Sequence, residues 1–128
     1  MHRDACIRRG TCVLKKILEE FLSFDGVVIA ALVGRDGFVI EIVQACGKTE
    51  IGAIGALCLI PLRFFAQGRE SVDMGSLRQI VLEYRNGAII IVPVTPEEFL
   101  TVITDTTEGL GSLAHMIAKT SSRVAAII

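Results

Sequence analysis

The segment from Glu50 to Gln67, EIGAIGALCLIPLRFFAQ, constrains the fold more than any other part of the chain. A helix on the surface of a small domain normally has one apolar stripe and one charged side. After Glu50 only Arg63 and Gln67 interrupt the apolar residues, so at about 100° per residue both faces of a helix would be apolar. One face can pack on the chain's own sheet, whereas the other needs a second protein surface. The segment therefore predicts a helix that takes part in association.

The two faces of this predicted helix have different side chains. The face expected to hold the helix to its own sheet is large and apolar, with Ile51, Ile54, Leu57, Cys58, Leu62 and Phe65. The face expected to meet a twin subunit or a partner is formed by Gly52, Ala53, Ala56, Leu59, Ile60 and Arg63. Pro61 removes one amide donor and clashes with the preceding turn, so we expect a kink near Leu57 or a fresh start at Pro61.

Composition agrees with a small domain that associates. The 128 residues are enough for one domain with a real core, and 52% are hydrophobic while only 21% are charged. The mean hydropathy of +0.59 favours an oligomer that hides additional surface. A net charge of −1 gives no electrostatic footprint for nucleic acid. No run reaches the roughly 18 apolar residues of a transmembrane helix, and Lys15, Lys16, Glu19 and Glu20 exclude a signal peptide, so we expect a cytoplasmic protein.

Hydrophobic periodicity predicts three helices and five strands. The first helix is expected from a cap at Thr11 to about Phe24, with Asp25-Gly26 ending it, and the last helix follows a cap at Thr106 or Thr107. The strands are expected at Val27–Gly34, Phe38–Val43, Leu77–Tyr84, Ala88–Val94 and Phe99–Thr104. Residues 1–10 are expected to form a flexible tail, and residues 11–128 a single domain.

Turn signals connect these strands into an antiparallel sheet. Arg35-Asp36-Gly37 is expected to form a tight turn, because Asp-Gly tolerates the positive φ angles of a two-residue hairpin, and Asn86-Gly87 is a further hairpin signal. Pro93 should mark a bulge or an amide without a ladder partner. The predicted fold is an α+β sandwich of order α-β-β-α-β-β-β-α. Its five-stranded antiparallel sheet has one helix on one face and two on the other.

The third predicted strand has the pattern of a sheet edge. Ile80, Leu82 and Tyr84 share one side with Arg78, and the other side is formed by Leu77, Gln79, Val81 and Glu83. An unpaired edge invites aggregation, and pairing this strand with its twin in a second copy would remove that edge. The same two-fold axis would bring two Glu50–Gln67 helices side by side. Both features predict an isologous homodimer.

No motif for nucleotide binding, catalysis or metal binding is complete in this sequence. Gly47-Lys48-Thr49 stands where a phosphate-binding loop would end, but position 42 is Ile where that loop needs glycine, so we read it as a helix start. The strands lack paired carboxylates, and His115 is expected to be a surface or half-buried structural residue. The spacing of Cys6, Cys12, Cys46 and Cys58 fits neither a metal site nor a disulfide framework. We therefore expect no enzyme, no metal and no cofactor.

The order of several short motifs resembles the roadblock-type dynein light chain domain family over roughly residues 11–127. These motifs are Asp25-Gly26-Val27, Gly34-Arg35-Asp36-Gly37-Phe38, Ile51-Gly52-Ala53, Val81-Leu82-Glu83, Ile89-Ile90-Ile91-Val92 and the helix from Gly109-Leu110 to Ile117. The resemblance implies a homo- or heterodimer with one continuous sheet. It also implies a role in binding or regulating small Ras-like GTPases, as in MglB-like members. The family shares no catalytic triad, so no catalytic residue carries over.

Three hypotheses follow. The first is a dimeric adaptor that binds a small Ras-like GTPase over the paired second helices, with GTPase activation and scaffolding both left open. Nothing in the sequence identifies an arginine finger, and Arg63 and Arg35 are only weak candidates for that role. The second is a sensor domain for a small apolar ligand, which the scarcity of polar residues at core positions disfavours. The third is a purely structural subunit that only dimerises or heterodimerises.

Overall fold

The computed structural model describes residues 9–45 and 77–127 of the chain. In chain order it contains the elements α1 (Arg9–Phe21), β1 (Val27–Gly34), β2 (Val39–Gln44), β3 (Ile80–Tyr84), β4 (Gly87–Pro93), β5 (Glu98–Thr104) and α2 (Leu110–Ile127). The predicted helix Glu50–Gln67, its proline Pro61 and the Gly47–Thr49 motif lie outside the described residues.

The five strands form one antiparallel sheet in the order β2-β1-β5-β4-β3. This confirms the predicted α+β fold with a five-stranded antiparallel sheet. β1 and β4 are apolar on both faces and almost wholly buried, as the sequence indicated for covered interior strands. Among residues 9–45 and 77–127, β2 and β3 are the two edges of the sheet.

Both described helices pack on the same face of the sheet. Their apolar stripes share one core cluster with alternate residues of the strands, because side chains spaced three or four apart lie on one side of a helix. The largest buried side chains of this cluster are Leu14, Leu18, Phe21, Leu32, Ile90, Leu100 and Ile117. Val13, which precedes the buried Leu14 on α1, is 45% exposed.

The opposite face of the sheet carries a second apolar cluster. Its buried members all come from strands: Ile29, Ala31, Val33, Ile80, Ile89, Ile91 and Phe99. Leu77 and Leu82 pack against it as partly buried residues. Ala31, Val33 and Ile91 are fully buried, so this face, like the helix-bearing face, is closed to solvent at its centre.

The first helix is offset from its predicted limits. α1 begins at Arg9 and ends at Phe21, so Thr11 lies inside the helix and does not cap it. The chain leaves the helix through turn hydrogen bonds from the Leu22 amide to Glu19 and from the Phe24 amide to Phe21. Gly26 then adopts a φ of +91°, and a Cβ there would lie 2.2 Å from the Thr106 methyl group. The predicted stop at Asp25-Gly26 therefore depends on glycine both for conformation and for space.

The β1–β2 turn consists of the three residues Arg35, Asp36 and Gly37 that the prediction named, but its geometry differs from the prediction. The Gly34 amide donates to the Phe38 carbonyl at 2.8 Å, and the Gly37 amide donates to Gly34 at 2.9 Å. Arg35, Asp36 and Gly37 thus form a three-residue loop, and within it only Gly37 has a positive φ, of 90°. A tight turn followed by a left-handed glycine is the usual three-residue hairpin, so the prediction of a two-residue hairpin here was wrong.

The predicted β3–β4 hairpin is present, but glycine has a different role in it. Tyr84 pairs directly with Gly87, so Arg85 and Asn86 form the loop and Gly87 is the first residue of β4. Gly87 has no positive φ. A Cβ on Gly87 would lie 2.3 Å from the Thr104 carbonyl oxygen, so close packing against β5 requires the glycine.

Pro93 explains why β3 is shorter than predicted. The last β3–β4 pair is Ile80 with Ile91, and one further bonded pair would join Arg78 to Pro93. Proline has no amide to donate, so the ladder ends and β3 begins at Ile80 rather than at Leu77. Of the two outcomes expected for Pro93, a bulge or a position without an amide for the ladder, the structure shows the second.

The last helix is capped differently from the prediction. The Leu113 amide donates to the Gly109 carbonyl at 3.0 Å, which places Gly109, with φ +72°, at the cap position. The Thr106 hydroxyl accepts from the Glu108 amide at 3.2 Å and so stabilises the turn before the helix. Neither Thr106 nor Thr107 is the cap residue itself.

Candidate interaction surface at the sheet edge

The ten residues predicted at a dimer or partner interface fall into two groups. Four of them are described: Leu77, Gln79, Val81 and Glu83. The other six lie outside the described residues: Gly52, Ala53, Ala56, Leu59, Ile60 and Arg63. The surface that can be described is therefore the β3 edge.

The four described residues do not share one side. Val81 and Glu83 lie in β3 and face the helix-bearing side of the sheet, because their pairing partners are Ile90 and Ala88. Gln79 is exposed just before the strand, whereas Leu77 packs against the second-face cluster together with Ile80 and Leu82. The alternation fails at Leu77 because strict alternation of sides holds only inside a strand.

The backbone of β3 presents hydrogen-bonding groups at the sheet edge. Tyr84 and Gly87 flank a two-residue loop, so they exchange hydrogen bonds with each other, and alternation extends this to Leu82 with Ile89 and to Ile80 with Ile91. The amides and carbonyls of Val81 and Glu83 consequently point away from β4. Within the described part of the chain β3 is the last strand on this side. These four backbone groups can accept another strand.

The side chains of this edge add apolar area to the backbone groups. Val81 is 40% exposed and Tyr84 is 55% exposed, which is high for an aliphatic and an aromatic residue in a strand. β3 pairs with β4 in a regular register without a bulge. A flat edge with exposed apolar side chains is suited to strand addition rather than to solvent.

The opposite edge, β2, is closed in two ways. Its register against β1 shifts between Leu32 and Val33, which leaves Ile40 as an extra bulged residue that is 49% exposed. The Ala45 amide bonds to Val28, so the alternating Ile42 amide points outward. That amide donates to the carboxylate of Glu41 at 3.2 Å. A bulge and an amide already bonded by a neighbouring acid both disfavour strand addition.

Arg35, considered for an arginine finger, joins two loops at one end of the sheet. Its amide donates to the Glu97 carbonyl at 2.8 Å, and its guanidinium donates from Nη1 to the Pro96 carbonyl at 3.1 Å. The second loop is itself held by the Thr95 hydroxyl oxygen, which accepts from the amides of Glu97 and Glu98, each at 3.1 Å. Arg35 therefore fastens the β1–β2 turn to the β4–β5 loop.

A hollow lies at the end of the sheet next to the β3 edge. It has a volume of about 400 Å³ and is open to solvent. Its lining runs from Tyr84 through the hairpin to Ile89 and includes Ile103 and Thr104 of β5. Tyr84 thus belongs both to the rim of the hollow and to the β3 edge.

Other candidate groups are isolated. His115 is exposed on α2, which agrees with the first of its two expected positions, on the surface or half-buried. Among residues 9–45 and 77–127 no three His, Cys, Asp or Glu side chains gather where they could hold a metal ion. Over the same residues, neither helix combines the length and the apolar character needed to cross a membrane.

Comparison with known proteins finds a match to one protein family. The model of the Roadblock/LC7 domain matches residues 13–104. Two proteins of Methanocaldococcus jannaschii are each 24% identical over 115 residues, which make up 90% of this chain and 99% of the relative. The matched region contains all five strands of the sheet, including the β3 edge.

Solved structures with the same fold come from several bacteria. The gliding protein MglB from Thermus thermophilus has a TM-score of 0.80 at 18% identity, covering 94% of this chain and 89% of its own. MglB of Myxococcus xanthus has a TM-score of 0.77 at 15% identity, with coverages of 93% and 94%. A Roadblock/LC7 domain from Streptomyces avermitilis has a TM-score of 0.77 at 16% identity, with coverages of 86% and 92%.

Proposed function

This chain belongs to the Roadblock/LC7 domain family, and we propose that it is a homodimeric adaptor without catalytic activity of its own that binds a small Ras-like GTPase. The GTPase is the partner that the family resemblance implies, and MglB proteins are among those whose fold this chain shares. The proposal includes a single cytoplasmic domain over residues 11–128 with a short tail before it.

The observation that carries the homodimer is the contrast between the two edges of the sheet. β2 has a bulge and an outward amide that already donates to Glu41. β3 has a regular register, and the outward backbone groups of Val81 and Glu83 face away from the sheet. Because strand addition needs free backbone groups along a flat edge, association through β3 is favoured.

The GTPase site is proposed on the two Glu50–Gln67 segments, which the dimer would place side by side. Gly52, Ala53 and Ala56 would allow these helices to approach closely, and Leu59, Ile60 and Arg63 would face the partner. Burial of the second sheet face supports a helix on that face, because Ala31 and Val33 of the interior strand β1 are fully buried there.

The homodimer is tested by light scattering of the purified chain over a dilution series from micromolar concentration. We expect a dimer that dissociates on dilution. A monomer throughout the series would contradict the proposal.

GTPase binding is tested by capture of small Ras-like GTPases loaded with GDP or with a non-hydrolysable GTP analogue. Ile60→Asp should abolish capture while the dimer and the thermal unfolding temperature remain unchanged. Ser122→Asp is the matched control, because it adds the same charge at an exposed position of α2. Capture that persists in Ile60→Asp would contradict the proposed site.

A GTPase that is captured also allows the regulatory role to be measured. Single-turnover GTP hydrolysis with and without the adaptor separates activation from scaffolding. If an arginine of this chain entered the GTPase site, Arg63→Ala would lower the hydrolysis rate by a factor on the order of 10³ or more. Arg35→Ala should leave the rate unchanged, since the Arg35 guanidinium is bonded to Pro96.

A further inference from the structure

We infer that the hollow beside the β3–β4 hairpin is a docking site for a short peptide segment of a partner protein. The segment carries an apolar side chain and, two positions away, an aspartate or a glutamate. This inference goes beyond the proposed function, because it requires neither the homodimer nor the GTPase. Three features carry it: the shape of the hollow, its apolar floor and one unpaired guanidinium at its rim.

The hollow exists because position 87 has no side chain. Gly87 pairs with Tyr84 directly after the hairpin loop, next to the pair of Ala88 on β4 with Thr104 on β5. Paired residues project to the same side of a sheet, so a Cβ on Gly87 would lie on the side of the Tyr84 ring. The Thr104 carbonyl oxygen is so close to that position that any larger residue would clash. The contact that requires glycine therefore also keeps the hollow open.

The floor of the hollow is apolar. Ile89 and Ile103 lie opposite each other on β4 and β5, and both belong to the apolar cluster of the second face. Tyr84 projects to this face too, since Leu82, two residues earlier, is opposite Ile89. The Tyr84 side chain is 55% exposed and lines the hollow on the side of β3. An apolar side chain of a partner that enters here is removed from water by the floor and by this ring.

The rim carries one charge without a partner. Among the described residues, Arg85 is the only charged one that lines the hollow, and it is exposed. Within the same ranges its guanidinium makes no ion pair and no hydrogen bond, and the side-chain amide of Asn86 is equally free. Glu83 projects to the other side of the sheet, and the Asp105 carboxylate lies beside Gly26. A guanidinium binds a carboxylate through two parallel hydrogen bonds, so an acid is the complementary group for this rim.

The open shape of the hollow favours a peptide over a small molecule. Its volume of about 400 Å³ is sufficient for a ligand, but small-molecule sites bury most of their ligand, whereas this hollow is open to solvent. A peptide needs to bury only one side chain here, because its other contacts lie along the rim. Alternate side chains of an extended peptide project to the same side. The apolar residue on the floor and the acid at Arg85 are therefore two positions apart.

The hollow and the β3 edge can be occupied at the same time. Tyr84 is the last residue of β3, and the hollow lies beyond it at the hairpin. The outward backbone groups of Val81 and Glu83 belong to the edge and not to the lining that the structure describes. A peptide in the hollow thus leaves the edge available to a second copy, and the two contacts can be tested separately.

Peptide binding is measured by NMR on the full chain labelled with nitrogen-15. The probe is the capped pentapeptide Ser-Leu-Ser-Glu-Ser, and we expect saturable amide shifts at residues 84–89 and 103–104, with a dissociation constant of roughly 1 mM or below. Arg85→Ala should weaken binding roughly tenfold, because a hydrogen bond between two charged groups is lost. Arg78→Ala is the matched control, because it removes an exposed arginine that does not line the hollow, and its affinity should be unchanged.

Changes in the probe test both contacts without altering the protein. Replacing its glutamate by glutamine should weaken binding as much as Arg85→Ala, and the two changes together should weaken it little further. Replacing its leucine by serine should abolish the shifts. The site would be overturned by an absence of shifts with the original peptide, by unchanged affinity in Arg85→Ala, or by shifts confined to residues outside the hollow. Hexanoate tests the small-molecule alternative, and binding at the hollow as tight as that of the peptide would overturn the assignment to a peptide.

Discussion

Val81→Pro is a sharp perturbation of the β3 edge because it separates the interface from the fold. The Val81 amide points away from β4, so a proline there removes no hydrogen bond from the β3–β4 ladder. The same amide is a donor to the second copy in the proposed dimer. The substitution should therefore weaken dimerisation much more than it weakens the monomer.

The magnitude follows from the number of donors lost. Two-fold symmetry removes two hydrogen bonds per dimer, each with a net contribution of about 0.5–1.5 kcal/mol. The dissociation free energy should fall by about 1–3 kcal/mol, which raises the dissociation constant roughly 5- to 150-fold. The monomer retains the bonded pairs of Tyr84, Leu82 and Ile80 with β4. Val81 is already 40% exposed, so we expect its free energy of unfolding to change by about 1 kcal/mol or less.

The assay is sedimentation equilibrium over a dilution series, with thermal unfolding measured at a concentration where both proteins are monomeric. That condition is needed because unfolding of a dimer depends on concentration. Val81→Thr is the control, because it keeps the amide and a β-branched side chain, and it should dimerise within a few-fold of the original chain. An unchanged dissociation constant in Val81→Pro, together with an unchanged unfolding temperature, would refute the reasoning.

Three further predictions concern stability and use the free energy of unfolding in urea. Gly26→Ala should lower this free energy by about 1–3 kcal/mol, because Gly26 has a φ of +91° and a Cβ there would clash with Thr106. Gly109→Ala should lower it by only about 1 kcal/mol, because Gly109 has a φ of +72° but open space around it. Equal losses in the two variants would show that the clash at Gly26 contributes nothing. Gly87→Ala should lower it by about 1–3 kcal/mol through contact with a β5 carbonyl, and a neutral result would show that the sheet can open there. The ion pair of Glu20 with Arg123, at 3.2 Å and about half exposed, should show a coupling energy below about 1 kcal/mol in a double-mutant cycle, and 1 M salt should reduce it further.

The interior of the fold could be predicted because its strands are apolar on both sides. Val27–Gly34 was predicted with its exact limits, since a run without polar residues bounded by glycines allows only one placement. The helix-bearing core was predictable for a similar reason, because Leu14, Leu18 and Phe21 recur at helical spacing. Both signals depend only on residues that are neighbours in the sequence.

The errors arose where distant residues decide the outcome. Leu77–Gln79 alternate as a strand should, but Pro93 on the neighbouring strand ends the ladder at Ile80. Gly87 appeared to be a turn glycine, but the carbonyl of Thr104 on β5 determines the need for it. Hydrophobic periodicity cannot predict the effect of one strand on another until the strand order is known, although Pro93 itself was visible in the sequence.

The candidate site was predicted in part. The sequence located the edge strand correctly but could not distinguish backbone groups that face β4 from those that face outward, because this depends on the hairpin register. It also did not reveal that β2 is closed, since the bulge at Ile40 and the bond from the Ile42 amide to Glu41 have no periodic signal. The single charged residue of this strand, Glu41, was the one available clue.

The closure of β2 has a consequence for the size of the assembly. If both edges were open, β2 of one copy could add to β3 of the next, and this head-to-tail contact would continue into a filament. With β2 disfavoured by its bulge and by Glu41, contact between copies of this chain is expected to join one β3 edge to another. Such a contact is isologous and uses both open edges at once, so a sheet joined in this way has no further open edge to extend. The carboxylate of Glu41 on one side of the molecule thus favours a closed dimer on the other.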